Sequence, residues 1–242
     1  ELMSRNPDCT TALLSNVIGS DPMLSAAILA RAQATAGPQQ EPVVRLSQAI
    51  TMLGMSMVQG VILRIHPIEE PYRRTLAACW GLANATATMT RIIAEVARAP
   101  ALRAIHEETL HLAGLLHDLG SAVGQRLFTE AYLAAVEDVA HDRNLVLETA
   151  LVRHLSVNST ALSTLLARNW GLADRLTACM RYARRPMRAA ESDQVLVCTV
   201  HVARTLVRGC GFTMAGDPYV EPIDDAALDL LGLRFGDLED AI

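Results

Sequence analysis

Lysine is absent from the 242 residues, so all 21 basic side chains are arginine. Without an ε-amine neither a Schiff-base nucleophile nor a P-loop can be built, because both need that group. Aromatic residues are scarce: three Phe, two Trp and four Tyr. No alternating β-branched and aromatic run bounded by Asn-Gly turns occurs, which removes the usual signature of a sandwich or barrel. The five cysteines (Cys9, Cys79, Cys179, Cys198, Cys210) include no C-x-x-C pair. Zinc ribbons and thioredoxin-type chemistry are thereby excluded, and reduced thiols in a cytoplasmic protein are expected. No apolar run is read as approaching the roughly 18 residues that cross a bilayer, so no membrane span is expected. The segment 1–10 mixes acid, Arg, Asn and Pro with no apolar block behind it, unlike a secretory leader. Glycine-rich phosphate loops and a G-x-S-x-G elbow are also missing.

What is present is a chain that is 51% apolar and 19% charged, enough for a packed core. The net charge of −5 hides an asymmetry. From Asp217 onward eight acids face a single Arg234, leaving 20 arginines against 18 acids in the remainder. A nearly neutral body lacks the field that nucleic-acid binding needs. Proline and glycine punctuate the chain. Ser20-Asp21-Pro22 places a capping side chain before a proline suited to a first helical turn, and Gly37-Pro38 stops that helix. Apolar residues recurring at three and four then predict helices near 8–18, 22–35, 45–53, 55–65, 72–98, 106–118, 122–140, 144–154, 158–169, 173–183, 192–208 and 224–231. The expected class is all-α. The stretch from His66 to Pro71, two prolines around an Ile and two acids, reads as a boundary between an amino-terminal helical part, 1–66, and a larger bundle, 71–242.

Three polar clusters carry candidate chemistry. His106-Glu107-Glu108-Thr109-Leu110-His111 nearly spells H-E-x-x-H. Its two histidines are five residues apart, about 140° around a helix, and cannot chelate one ion as an i, i+4 pair does. They read instead as exposed residues that favour a helix start. His117-Asp118 closes an apolar helix. The pair could give two ligands to a divalent metal if other helices supplied the rest. Otherwise His117 caps terminal carbonyls and Gly120 takes a left-handed conformation. Arg181, Arg184, Arg185 and Arg188 set four guanidiniums around Tyr182 and Pro186. That pattern fits a phosphate, nucleotide or acidic partner, but reads first as a solvated loop paired with the acidic tail. Met52, Met55 and Met57 read as core filler.

Gly114-Leu115-Leu116-His117-Asp118-Leu119-Gly120 resembles the G-L-L-H-D-I-G core of HD-superfamily proteins, and specifically of the HDOD family. Asp21-Pro22-Met23-Leu24, Ala49-Ile50-Thr51-Met52-Leu53-Gly54, Trp80, Trp170-Gly171-Leu172, Arg181-Tyr182 and Arg185-Pro186 are similar to further landmarks of that family, in order, across nearly the whole chain. The resemblance implies an amino-terminal helical subdomain packed on a degenerate HD bundle, working in bacteria as a signalling output module. It also implies where a metal would have been held. The first histidine position holds Leu82, the pair is kept as His117 and Asp118, and the late aspartate position holds Arg204. Two further histidine positions hold Ser159 and Ala183-Arg184. Asp193 is too far along the helix to replace the late aspartate and is expected to cap it. Two donors are too few for a catalytic ion, and a guanidinium repels one. The expectation is a non-enzymatic module with no metal or cofactor, partnered by another signalling protein or a nucleotide ligand. The alternative is a divergent metal-dependent phosphohydrolase recruiting His111, His154 or His201 to act on a nucleotide or cyclic dinucleotide.

Overall fold

A computed structural model of the chain describes residues 11–37, 41–64, 70–142, 144–213, 217 and 219–239, and no side chain between 65 and 76. Every regular element among them is helical. Asp21 caps α2 (Pro22–Thr35), its Oδ1 accepting from the amides of Met23 at 2.9 Å and Leu24 at 3.0 Å. With α1 (Thr11–Ile18) and α3 (Leu46–Arg64) it forms the amino-terminal layer. The central helices are α4 (Glu70–Val96), α5 (Glu107–Leu116) and α11 (Glu191–Gly209), which pack on one another. Around them lie α6 (Leu119–Leu127), α7 (Thr129–His141), α8 (Leu147–Leu155), α9 (Ser159–Asn169), α10 (Asp174–Tyr182), α12 (Asp225–Leu231) and α13 (Phe235–Glu239).

Several local expectations need correction. The helix expected over 122–140 is two helices, α6 and α7, separated at Phe128, whose φ of −128° and ψ of 43° leave the helical region. Pro71 lies inside the first turn of α4 rather than ending a helix, because a first-turn proline has no intrahelical amide bond to lose. The rest of the expected boundary, 66–69, lies outside the described residues. Met52 and Met57 are 39% exposed, so they do not fill the core. The segment Leu46–Arg64 does satisfy the length and composition of a membrane span, with a mean hydropathy of 1.5. It is not one straight helix, however. Gly54 adopts φ 71°, ψ 161°, which divides it into two pieces each too short to cross a bilayer.

Buried side chains make two clusters. One runs from Leu14, Ile28 and Ile50 through Ala87, Leu112 and Leu116 to Val197, Val200 and Leu231, so the amino-terminal helices share a core with the bundle. The other gathers Leu82, Ala122, Tyr132, Ala135, Leu147, Leu151 and Val207. Glu108 ties the two ends of the chain's first half together. Its carboxylate accepts from the Ser15 hydroxyl at 2.9 Å, the Ser47 amide at 2.9 Å and the Ser47 hydroxyl. It is therefore a half-buried crosslink, not the exposed charge its position in a first helical turn suggested. His111, likewise, is held by the Gly19 carbonyl at 2.9 Å.

Two glycines set the packing around residues 117 and 118. A Cβ on Gly114 would meet Thr90 Oγ1 at 2.6 Å, Ala87 Cα at 2.7 Å and the Thr86 carbonyl at 2.8 Å, so α5 rests directly on the backbone of α4. A Cβ on Gly120 would overlap the Ser159 carbonyl and the Ser163 amide of α9. Gly120 is a seat for a neighbouring helix, not the left-handed terminus expected for it; its φ is not positive. Gly114→Ala and Gly120→Ala are each expected to lose about 1–3 kcal/mol or more in urea unfolding, because backbone cannot move aside as a side-chain tip can. Gly81→Ala, where the space is open, is expected to be neutral or to gain up to about 1 kcal/mol. Equal effects at the three positions would contradict this packing.

Candidate functional site

The turn between α5 and α6, seated by those two glycines, carries His117 and Asp118. His117 is buried, and its Nδ1 donates to the Gly114 carbonyl at 2.7 Å. Burial holds its pKa below the usual histidine range, although Asp118 pulls the other way. Asp118 accepts from the Ser121 hydroxyl at 2.9 Å through Oδ1. Behind the pair, Leu82 and Cys79 of α4 close a void of only about 10 Å³ shared with Leu115, Leu119 and Ala122. Leu82 is 2% exposed and offers no lone pair. Burial pushes the Cys79 thiol up to about 12. Its proton is directed at Gln125 Oε1, 3.3 Å away.

Opposite the pair stands Arg204 of α11, 1% exposed and among the largest fully buried side chains of the protein. Its Nη1 pairs with Glu221, in the segment connecting α11 to α12. The other Glu221 oxygen pairs with Arg184, just past α10, and Arg184 Nη2 donates to Glu148 of α8 at 2.9 Å. Glu148 also accepts from the Ser159 hydroxyl. One turn beyond Arg204, Arg208 Nη2 binds Asp217 at 2.7 Å and the Tyr219 carbonyl at 2.6 Å. Burial disfavours both partners of the central pair. It lowers Arg204 to about 10, helped by repulsion from Arg184, whereas in Glu221 the two guanidiniums outweigh burial and hold the carboxyl low. Glu148 is raised by burial, with Arg184 opposing. His117 Nε2, Asp118 Oδ2, Glu148 Oε2 and Arg204 Nε have no hydrogen-bond partner among the described residues.

The fit of a divalent ion can be tested on these residues. His117 and Asp118 supply two donors, whereas a catalytic ion takes three or more protein ligands plus an open position. At an effective dielectric near 20, a guanidinium about 4 Å from a divalent ion opposes it by roughly 8 kcal/mol. Among the described residues no group of three or more His, Cys, Asp or Glu side chains could hold a metal. The residues that the alternative reading would recruit are committed elsewhere. His111 is bound to Gly19, and His154 pairs with Asp138 at 2.8 Å on the surface. His201 Nδ1 donates to the Ala183 carbonyl at 2.8 Å while its Nε2 accepts from the Asp224 amide at 3.0 Å. These residues do not fit a catalytic metal. Asp193 does not cap α11 either: Ala190 holds that position, and Asp193 accepts from Arg175 at 3.4 Å within the first turn.

Of the arginine cluster, only Arg184 enters this network. Arg181, Arg185 and Arg188 are exposed on the rim of a cleft of about 820 Å³ between α8, α9, α10 and residues 217–221. Glu148 and Glu221 were not foreseen from the sequence. Neither sits in a recognisable motif, and the acidic tail gave only a general hint that some arginine would find a partner there.

Two measurements probe the network. Arg204→Met is expected to cost up to about 3–5 kcal/mol, because it removes the buried one of the two guanidiniums that hold the part-buried Glu221 carboxylate, and adding Glu221→Gln should restore part of the loss. An additive double variant would contradict the pairing. The second concerns His201, whose pKa burial lowers. Protonation would also remove the acceptor for the Asp224 amide. Below the usual value of 6.5 the unfolded chain binds a proton that the folded chain refuses, so stability falls as pH falls, by at most about 1.4 kcal/mol per unit. The margin of the unmodified protein over His201→Gln should therefore shrink between pH 7 and pH 5. A margin that grows on acidification would refute the assignment.

The sequence matches the HDOD domain family over residues 1–186. No curated protein matches it. Among solved structures, the fold is similar to the MmoQ response regulator of Methylococcus capsulatus, with a TM-score of 0.74 at 20% identity over 99% of this chain and 92% of that one. It is also similar to a Campylobacter jejuni virulence factor, TM-score 0.70 at 18% identity, covering 100% and 87%. A Shewanella amazonensis protein provisionally named a phosphohydrolase gives a TM-score of 0.54 at 19% identity, covering 99% and 85%. The all-α architecture, the seven-residue turn seated by its two glycines and the match over most of its length make this chain a member of the HDOD family.

Proposed function

We propose that this chain is a cytoplasmic signal-transduction module that works by binding a ligand or another signalling protein, without catalytic turnover. The observation that carries the reading is the pairing of Arg204 with Glu221 in the buried place where a metal-dependent relative would need an acidic ligand. A guanidinium fixed by a carboxylate neutralises that place as a cation would, but it cannot lower the pKa of a water or polarise a phosphoryl oxygen as a metal ion does. Leu82 and the 10 Å³ void beside it support the same reading from the other side, since a hydrated ion and a substrate need more room. The HDOD match places the chain in a family associated with signalling, and the likeness to a response regulator is in keeping with that role.

The second reading, a divergent phosphohydrolase, draws on the retained His117-Asp118 pair and on the fold likeness to the Shewanella protein. One experiment separates the two. The protein is purified after growth with added manganese and iron, its metal content is measured, and it is assayed against a panel of nucleotides and cyclic dinucleotides. The expected result is substoichiometric metal and no turnover above a His117→Ala control. Metal-dependent hydrolysis that disappears in His117→Ala would overturn the proposal.

A further inference from the structure

The cleft beside the network is unlike the rest of this acidic protein. Five arginines line it (Arg168, Arg181, Arg184, Arg185 and Arg188) against three acids, Glu148, Asp217 and Glu221. Each of those acids is already matched from within: Glu148 by Arg184, Glu221 by Arg184 and Arg204, Asp217 by Arg208. The four exposed guanidiniums of Arg168, Arg181, Arg185 and Arg188 have no ion pair with any described acid. A chain whose net charge is −5 thus concentrates about four uncompensated positive charges on one concavity. Such self-repulsion works against folding unless an anion relieves it.

The backbone that carries Arg181, Arg185 and Arg188 is also held in place. Tyr182 carries Arg181 over its ring at 5.0 Å from the centroid. Beyond it the chain turns through a short 3-10 segment, Pro186–Arg188, with Pro186 and Ala189 buried. The Arg185 amide donates to the Tyr182 carbonyl at 2.8 Å and the Arg188 amide to the Arg185 carbonyl at 3.0 Å. Gln194 of α11 braces the turn from behind, its amide donating to the Met187 and Ala189 carbonyls. Backbone fixed in this way lowers the entropy lost when a ligand is gripped. The opposite wall differs in character. Leu165 supplies apolar surface, and Asn158, Thr160 and Thr164 supply amide and hydroxyl groups. Tyr182 and Tyr219 add aromatic faces at the rim.

We infer that this cleft is a binding site for a nucleotide, with Arg181, Arg185 and Arg188 taking its phosphates and the α8–α9 wall with Tyr219 taking its base and sugar. The guanidinium fork matches phosphate oxygens two at a time. An apolar, hydroxyl-lined wall opposite is what a base and ribose need, and inorganic phosphate would leave it unused. The size of about 820 Å³ belongs to small-molecule sites, not to the flatter and larger surfaces of protein interfaces. The shared chemistry covers nucleoside polyphosphates and cyclic dinucleotides alike. The inference rests on the non-catalytic reading only in holding that the nucleotide is retained and released unchanged.

The test is calorimetric titration of the full chain with ATP, cyclic di-GMP, inorganic pyrophosphate and a polyglutamate peptide. ATP or cyclic di-GMP, whichever the site takes, is expected to bind one to one and more tightly than pyrophosphate. Arg185→Ala with Arg188→Ala should weaken that binding by about a hundredfold, and Arg181→Ala by about tenfold. Arg126→Ala, an exposed arginine outside the cleft, should leave it unchanged. Unaltered melting of the variants, whose side chains are exposed, separates lost binding from lost fold. Absence of binding by either nucleotide, equal loss in Arg126→Ala, or binding by polyglutamate alone would overturn the inference, the last in favour of an acidic protein partner. Recovery of the bound nucleotide by chromatography keeps the two readings distinct. Hydrolysed nucleotide would sink the non-catalytic reading while leaving the site in place, and intact protein with no binding would sink the site alone.

Discussion

A guanidinium withdrawn from water in the middle of the bundle is the charge to which the surrounding groups are fitted. Arg204 comes from α11, the helix against which α4, α5 and α12 all pack, and its partner Glu221 comes from the segment that leads out of that helix toward α12. Burying either ion alone would be prohibitive, and even together their attraction does little more than offset their desolvation. The value of such a pair is positional. It fixes where residues 219–221 return across the bundle, and Glu221 then orients Arg184, which orients Glu148 and, through it, Ser159. A chain of alternating charge thus links α11, α10, α8 and α9.

That chain has an inner and an outer face. Inward, burial holds the His117 pKa low, and Arg204 and Arg184 add to that effect against the pull of Asp118. Outward, Glu148, Arg184, Glu221 and Asp217 form the base of the large cleft, with every acid engaged from beneath and the exposed arginines left to the solvent side. The internal neutralisation is what gives the cleft its positive sign. Were Glu148 and Glu221 released from Arg184 and Arg204 to pair with Arg185 and Arg188, the four unmatched guanidiniums of the cleft would fall to two. The buried ion pairing and the positive sign of the cleft are in this way two consequences of one arrangement.

Much of the architecture was legible in the residues. A helix start written in short-range code, Asp21 before Pro22, falls where its hydrogen bonds require. The Gly114–Gly120 stretch identified the turn that carries His117 and Asp118. Errors arose where a contact distant in sequence decides a local matter. Gly120 serves a neighbouring helix instead of a terminus, and Glu108 is drawn inward by Ser15 and Ser47. Leu46–Arg64 shows the converse: its composition alone suits a membrane, and one glycine φ angle divides it.

By itself the sequence determined the helical class and the family, because these depend on residue type and on spacing within a few turns. Only the tertiary structure decided which carboxylates answer which guanidiniums. Arg204 and Glu221 are 17 residues apart, Arg184 and Glu148 36, and their pairing depends on how four helices are stacked. No periodicity encodes such a match, since a charge finds its partner through the packing of apolar side chains that carry no charge at all.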